Sequence, residues 1–100
     1  MSSDNGIYIL NLKDQFRVIE TNAIENIHWD DKLGKASPTP VPKRVVEYFQ
    51  NAKPFKSKSL ALDFACEIED DIDILEYGIC NIKMKDHTWD EVVALAKSQV

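Results

Sequence analysis

Six carboxylates crowd into the ten residues Glu67-Ile68-Glu69-Asp70-Asp71-Ile72-Asp73-Ile74-Leu75-Glu76. Such a run suits hard cations, since Ca²⁺ and Mg²⁺ take oxygen ligands. The calcium-loop register is missing, however. That loop turns on a glycine at its sixth place, which counted from Glu69 is Ile74, and Gly78 falls too late. Two readings remain, a solvated helix end and an acidic patch that docks onto a basic partner. Trp29 either packs into the core or joins the second, because it stands at the edge of a proline-rich stretch and a partly exposed tryptophan is a common interface anchor. Glu67, Glu69, Asp70, Asp71, Asp73, Glu76 and Trp29 are thus the candidate interaction residues.

The other reactive side chains are scattered. His28, Cys66, Cys80 and His87 are the full set of imidazoles and thiols, and no two lie within four positions of each other, whereas zinc sites commonly use close Cys or His pairs. A nucleophilic thiolate needs a neighbouring base or cation. Cys66 instead adjoins Glu67, and Cys80 falls on the inward side of a strand pattern. The three glycines, Gly6, Gly34 and Gly78, are too dispersed for a phosphate loop. No cofactor, metal site or catalytic constellation is expected, and the chain reads as a non-enzyme.

Positioning these residues is the task of a few short elements. Ile7 to Leu12 is a strand that follows the Asn5-Gly6 turn, and Phe16 to Glu20 is its antiparallel hairpin partner across Lys13-Asp14-Gln15. Thr21 to Trp29 fits either a helical turn or an irregular strand. Residues 30–42 carry Gly34, Pro38, Pro40 and Pro42 and read as a proline-rich loop. Pro42 opens a helix to about Ala52 with Val45, Val46 and Phe49 inward, stopped by Lys53-Pro54. A second helix, about Ser59 to Glu69, turns Ala61, Phe64, Ala65, Ile68 and Ile72 inward, and Ser57 or Ser59 caps it. Glu76 to Met84 is a strand. Thr88-Trp89-Asp90-Glu91 is a capping box that opens a last helix with Trp89, Val92, Val93 and Ala96 inward. The order β-β-α-α-β-α predicts one α+β domain over residues 1–100, with an antiparallel sheet of about three strands covered by helices on one face.

Composition narrows the function further. With 44% hydrophobic residues, a chain of 100 residues builds a core without staples. No apolar leader precedes the first strand and no run approaches the roughly twenty residues that span a bilayer, so a cytoplasmic protein with reduced thiols and no membrane association is expected. The net charge of −5 disfavours nucleic acid as a partner. Charge is also segregated. Residues 32–58 carry seven basic side chains against Glu47 alone, while 59–82 carry seven acidic ones and no basic one. The aromatics Tyr48, Phe49 and Phe55 within the basic half offer weak support for stacking on single strands, because Phe49 lies on an inward stripe.

Several blocks carry a resemblance. Asn5-Gly6-Ile7-Tyr8-Ile9-Leu10, Phe16-Arg17-Val18 leading to Ala23-Ile24-Glu25-Asn26-Ile27, Tyr48-Phe49 with Phe55, and Glu76-Tyr77-Gly78-Ile79 resemble a group of small proteins of tailed bacteriophages. The resemblance spans roughly residues 4–84, leaves out the proline-rich loop and the helix after Thr88, and brings no catalytic residue with it. It implies expression in the cytoplasm of an infected bacterium, where small acidic proteins bind and redirect or block host proteins, defence systems included. The expectation is a phage-encoded binding protein that contacts a host macromolecule. The alternative is a small-ligand or nucleotide-binding protein with a pocket between sheet and helices, and an open sheet edge would allow a homodimer.

Overall fold

A computed structural model describes residues 5–22, 27–30, 33–71 and 78–98. Strand β1 (Asn5–Leu12) pairs antiparallel with β2 (Phe16–Asn22), with Asn11 opposite Phe16 and the Leu12 amide donating to the Gln15 carbonyl at 2.9 Å. The expected hairpin is therefore present. A small two-stranded sheet of β3 (Trp29–Asp30) and β4 (Lys35–Ala36) follows, then α1 (Pro42–Phe49), β5 (Lys53–Phe55), α2 (Lys58–Asp71), β6 (Ile79–Met84) and α3 (Trp89–Ser98). The main sheet has the order β5-β2-β1-β6.

The α+β class stands, but three features of the sheet differ from expectation. It has four strands, because Lys53-Pro54-Phe55 does more than stop a helix: it pairs with Val18, Arg17 and Phe16 as an edge strand, where proline is tolerated. The sheet is mixed. From β5 at one edge, α2 carries the chain back to the end where β1 begins, so β6 runs parallel to β1 with Ile7 beside Ile79 and Leu12 beside Met84. And helices cover both faces. Strand β1 buries Tyr8, Leu10 and Leu12 on one side, under Val45 and Phe49 of α1 and Val92 of α3, and Ile7 and Ile9 on the other, under Ala61 and Ala65 of α2. A strand apolar on both sides needs two covers.

Local chemistry explains the ends of the elements. Pro42 occupies the first turn of α1, where a missing amide costs nothing. The Ser57 hydroxyl accepts the Leu60 amide at 3.3 Å at the start of α2. Gly34 and Gly78 both have φ of 65°, a backbone region that glycine enters without strain; the Gly34 amide closes the β3–β4 turn onto the Asp30 carbonyl, and the Gly78 carbonyl receives the Ile7 amide. The stretch expected to be a proline-rich loop thus contributes strand β4 and is fastened beyond it, since the Ser37 amide donates to the His28 carbonyl and that of Val41 to the Ile27 carbonyl. Among the described residues Asn11 is the one buried polar side chain, its amide donating to the Ile9 carbonyl at 3.0 Å and the Asn81 Oδ1 at 3.2 Å.

The capping box forms as the sequence predicts. The Glu91 amide donates to the Thr88 hydroxyl at 3.2 Å and the Thr88 amide to the Glu91 carboxylate at 3.3 Å. Donation from the Thr88 amide, and then from its hydroxyl, holds the Glu91 carboxyl below its ordinary value. A depressed carboxyl contributes its stability above the unfolded pKa and loses it as pH falls through the folded value. Thr88→Ala is expected to cost about 1 kcal/mol in urea unfolding and to move the Glu91 titration, followed by carbonyl NMR, part of the way back up. An unmoved titration would mean that the box does not form.

Candidate interaction surface

Helix α2 presents its carboxylates because its small residues face the sheet. Ala61 and Ala65 are fully buried, with Phe64 and Ile68 beside them on the inward stripe, so Glu67, Glu69, Asp70 and Asp71 are left exposed over its last turns. No basic residue occupies the last turn, and among the described residues none of the four carboxylates has an ion-pair partner. The arrangement works against folding. Negative charge at a helix C-terminus costs about 0.3–1 kcal/mol per group, and Glu67 stands one helical turn from Asp63, Asp70 and Asp71, pairs of like charge that repel. Asp73 and Glu76 lie outside the described residues.

Trp29 is 40% exposed, but the structure does not gather it with the carboxylates. It belongs to the β3–β4 hairpin, and the Arg44 Nε donates to its carbonyl at 3.0 Å, tying the hairpin to α1. Helices α1 and α2 pack on opposite faces of the main sheet, which separates the two parts of the candidate surface.

The remaining reactive groups are dispersed. The His28 ring meets the Ser37 carbonyl at 3.3 Å, and the His87 Nδ1 lies 3.7 Å from the Glu91 carboxylate. Cys66 is exposed on α2 while Cys80 is half-buried on β6. Among the described residues no three His, Cys, Asp or Glu side chains come together in a way that could hold a metal ion, and no helix is long and apolar enough to cross a membrane.

One polar centre was not legible as such in the sequence. The Arg17 guanidinium stacks 3.8 Å from the centre of the Trp89 ring, donates to the Phe49 carbonyl at 3.0 Å and the Ala52 carbonyl at 3.4 Å, and donates through Nε to Gln15 at 2.9 Å. Burial holds its pKa below the ordinary guanidinium value, against the opposing pull of Asp14, whose carboxylate also accepts the Trp89 amide at 3.3 Å. The available clue was positional: Arg17 shares a strand face with Ile19, on the side that α1 covers. Its contacts tie α1, β2 and α3 together, so its role is structural.

Comparison of the chain with family models, with curated proteins and with solved structures finds no match.

Proposed function

We propose that this protein is a phage-encoded, non-enzymatic binding protein that attaches to a basic surface of a host macromolecule through the acidic end of α2 and so modulates or inhibits it. The observation that carries this reading is the exposure of Glu67, Glu69, Asp70 and Asp71, without cationic partners among the described residues, at a helix end where their charge opposes folding. Side chains that cost stability and have no cationic partner among the described residues are suited to a contact outside the fold. The phage origin and the host partner rest on the resemblance of Asn5–Leu10, Phe16–Val18 and Glu76–Ile79 to small tailed-phage proteins.

Affinity purification from bacterial lysate tests the proposal, with the unaltered chain beside Glu69→Lys, Asp70→Lys and Asp73→Lys combined. The unaltered chain is expected to retain a partner that elutes as salt is raised toward 1 M, where the Debye length falls to about 3 Å. The combined variant is expected to weaken binding about tenfold while melting no lower than the unaltered chain, because charge at the C-terminal end becomes favourable. Equal capture by the two would remove this surface as the contact.

A further inference from the structure

Strand β6 is an edge of the main sheet, and its ladder to β1 fixes which of its groups face outward. The Ile7 amide donates to the Gly78 carbonyl and Ile7 stands beside Ile79 in a parallel pair, so the backbones of Cys80, Ile82 and Met84 turn toward β1. The amides and carbonyls of Ile79, Asn81 and Lys83 therefore point away from the sheet. None of them has a hydrogen-bond partner among the described residues. The opposite edge is guarded, because β5 has three residues and holds Pro54, which has no amide to offer, at its outward position. Strand β6 has six residues and no proline. Helix α2 lies over β5, β2 and β1, which leaves Asn81 and Lys83 exposed, and Ile79, Cys80 and Ile82 are half-buried.

From this geometry we infer that β6 pairs antiparallel with β6 of a second copy of this chain, about a two-fold axis at Asn81, so that two sheets join into one. Hydrogen bonding is the first argument. Outward residues must face outward residues, which limits a symmetric pairing to centres on Cys80, Asn81 or Ile82. The centre on Asn81 engages every outward residue of both strands, setting Ile79 opposite Lys83 of the second copy and Asn81 opposite its own image, where the other centres leave one outward residue of each strand unused. Charge is the second. In this register the two lysines stand four residues apart, roughly 13 Å along the strand and beyond the Debye length of about 8 Å, whereas a centre on Ile82 would bring them onto neighbouring positions. Packing is the third. On the side of α1 and α3, Cys80 meets Ile82 of the second copy and Ile82 meets its Cys80, which covers the half-buried apolar pair on each strand. This fit of the strand to its own image selects a second copy as the occupant. A one-strand contact falls below the roughly 1,200 Å² of a standard interface, so the dimer is weak.

Sedimentation of the full chain between about 10 μM and about 1 mM is expected to reveal a reversible dimer with a Kd on the order of 100 μM. Over that series, solvent exchange of the Ile79, Asn81 and Lys83 amides, followed by NMR, is expected to slow about fourfold as the dimer fills. Asn81→Pro removes the central outward amide without touching the ladder to β1, and is expected to weaken the dimer at least about tenfold; unaltered shifts on β1 and β2 certify its fold. Asn81→Cys gives a second measure. It sets two thiols across the axis at a Cα separation of about 5.5 Å, within disulfide reach, so mild oxidation and peptide mapping should find them joined. Lys83→Cys, distant from its own image, should link no more often than exposed Cys66 does. A chain that stays monomeric at about 1 mM, a dimer undiminished by Asn81→Pro, or links at residue 83 as frequent as those at residue 81 would overturn the inference. Each copy carries a net charge of −5, so added salt should hold or strengthen this dimer while it weakens the α2 contact, and the two proposals fail separately.

Discussion

Phe49→Ala is expected to lower the melting temperature by roughly 12–40 °C, from about 4–8 °C per kcal/mol in a domain of this size. Phe49 heads the fully buried side chains in size and sits on α1 in the same cluster as Tyr8, Leu10, Val45, Ala52, Met84 and Val92. Truncation removes the transfer energy of a ring and leaves a cavity that its neighbours fill only in part, a combined loss of about 3–5 kcal/mol. Set against a total stability of about 5–15 kcal/mol, that is a large share. The consequence reaches beyond packing, because the Phe49 carbonyl is also an acceptor for Arg17, so a loosened α1 loosens the tie to β2 and α3. Urea unfolding measures the effect, with Leu60→Ala as a control, since Leu60 is 53% exposed and its loss should be small. A change below about 1.5 kcal/mol, the scale of a mild swap, would show that α1 is not the lid of this core.

How much of this fold was legible in the sequence depends on the range of the interaction. The Thr88–Glu91 box, the Pro42 start of α1 and the turn at residues 13–15 are written within a few residues, and each forms as read. The inward stripe of α2 is equally local, so the outward placement of Glu67, Glu69, Asp70 and Asp71 follows from Ala61, Ala65 and Ile68. The parallel pairing of β1 with β6 joins residues 72 apart, Ile7 and Ile79, and no short-range pattern encodes it. Three-residue β5 is too short to show a period. The two-sided cover did leave a trace: Ile7-Tyr8-Ile9-Leu10 is a continuous apolar run, the pattern of a strand buried on both faces, and a reading for hairpins alone passes over it. Residue type and a place beside the proline-rich stretch are all that group Trp29 with the carboxylates in the sequence. The crossing of the chain from one face of the sheet to the other between α1 and α2, which separates them, is a property of topology.

Arg17→Ala is expected to cost about 2–3 kcal/mol, built from a charged hydrogen bond worth about 1.5–3 kcal/mol and a cation–π contact worth about 0.5–2 kcal/mol, reduced by partial exposure. The guanidinium serves three elements at once: it closes the carbonyls of Phe49 and Ala52 after α1, lies over the Trp89 ring at the start of α3, and is held by Gln15 from its own hairpin. Losing it leaves two carbonyls without this donor and takes the cover off one face of an indole. Arg17→Lys separates charge from shape. A lysine keeps the cation but lacks the planar fork that can stack on a ring and donate in two directions, so it should recover less than half of the loss. A double-mutant cycle with Trp89→Leu then isolates the stacking contact, with an expected coupling of about 0.5–1.5 kcal/mol. If lysine restored full stability, or the cycle gave no coupling, simple charge near the C-terminus of α1 would account for the residue, and the bridge between α1 and α3 would have to come from Val45, Phe49 and Val92 alone.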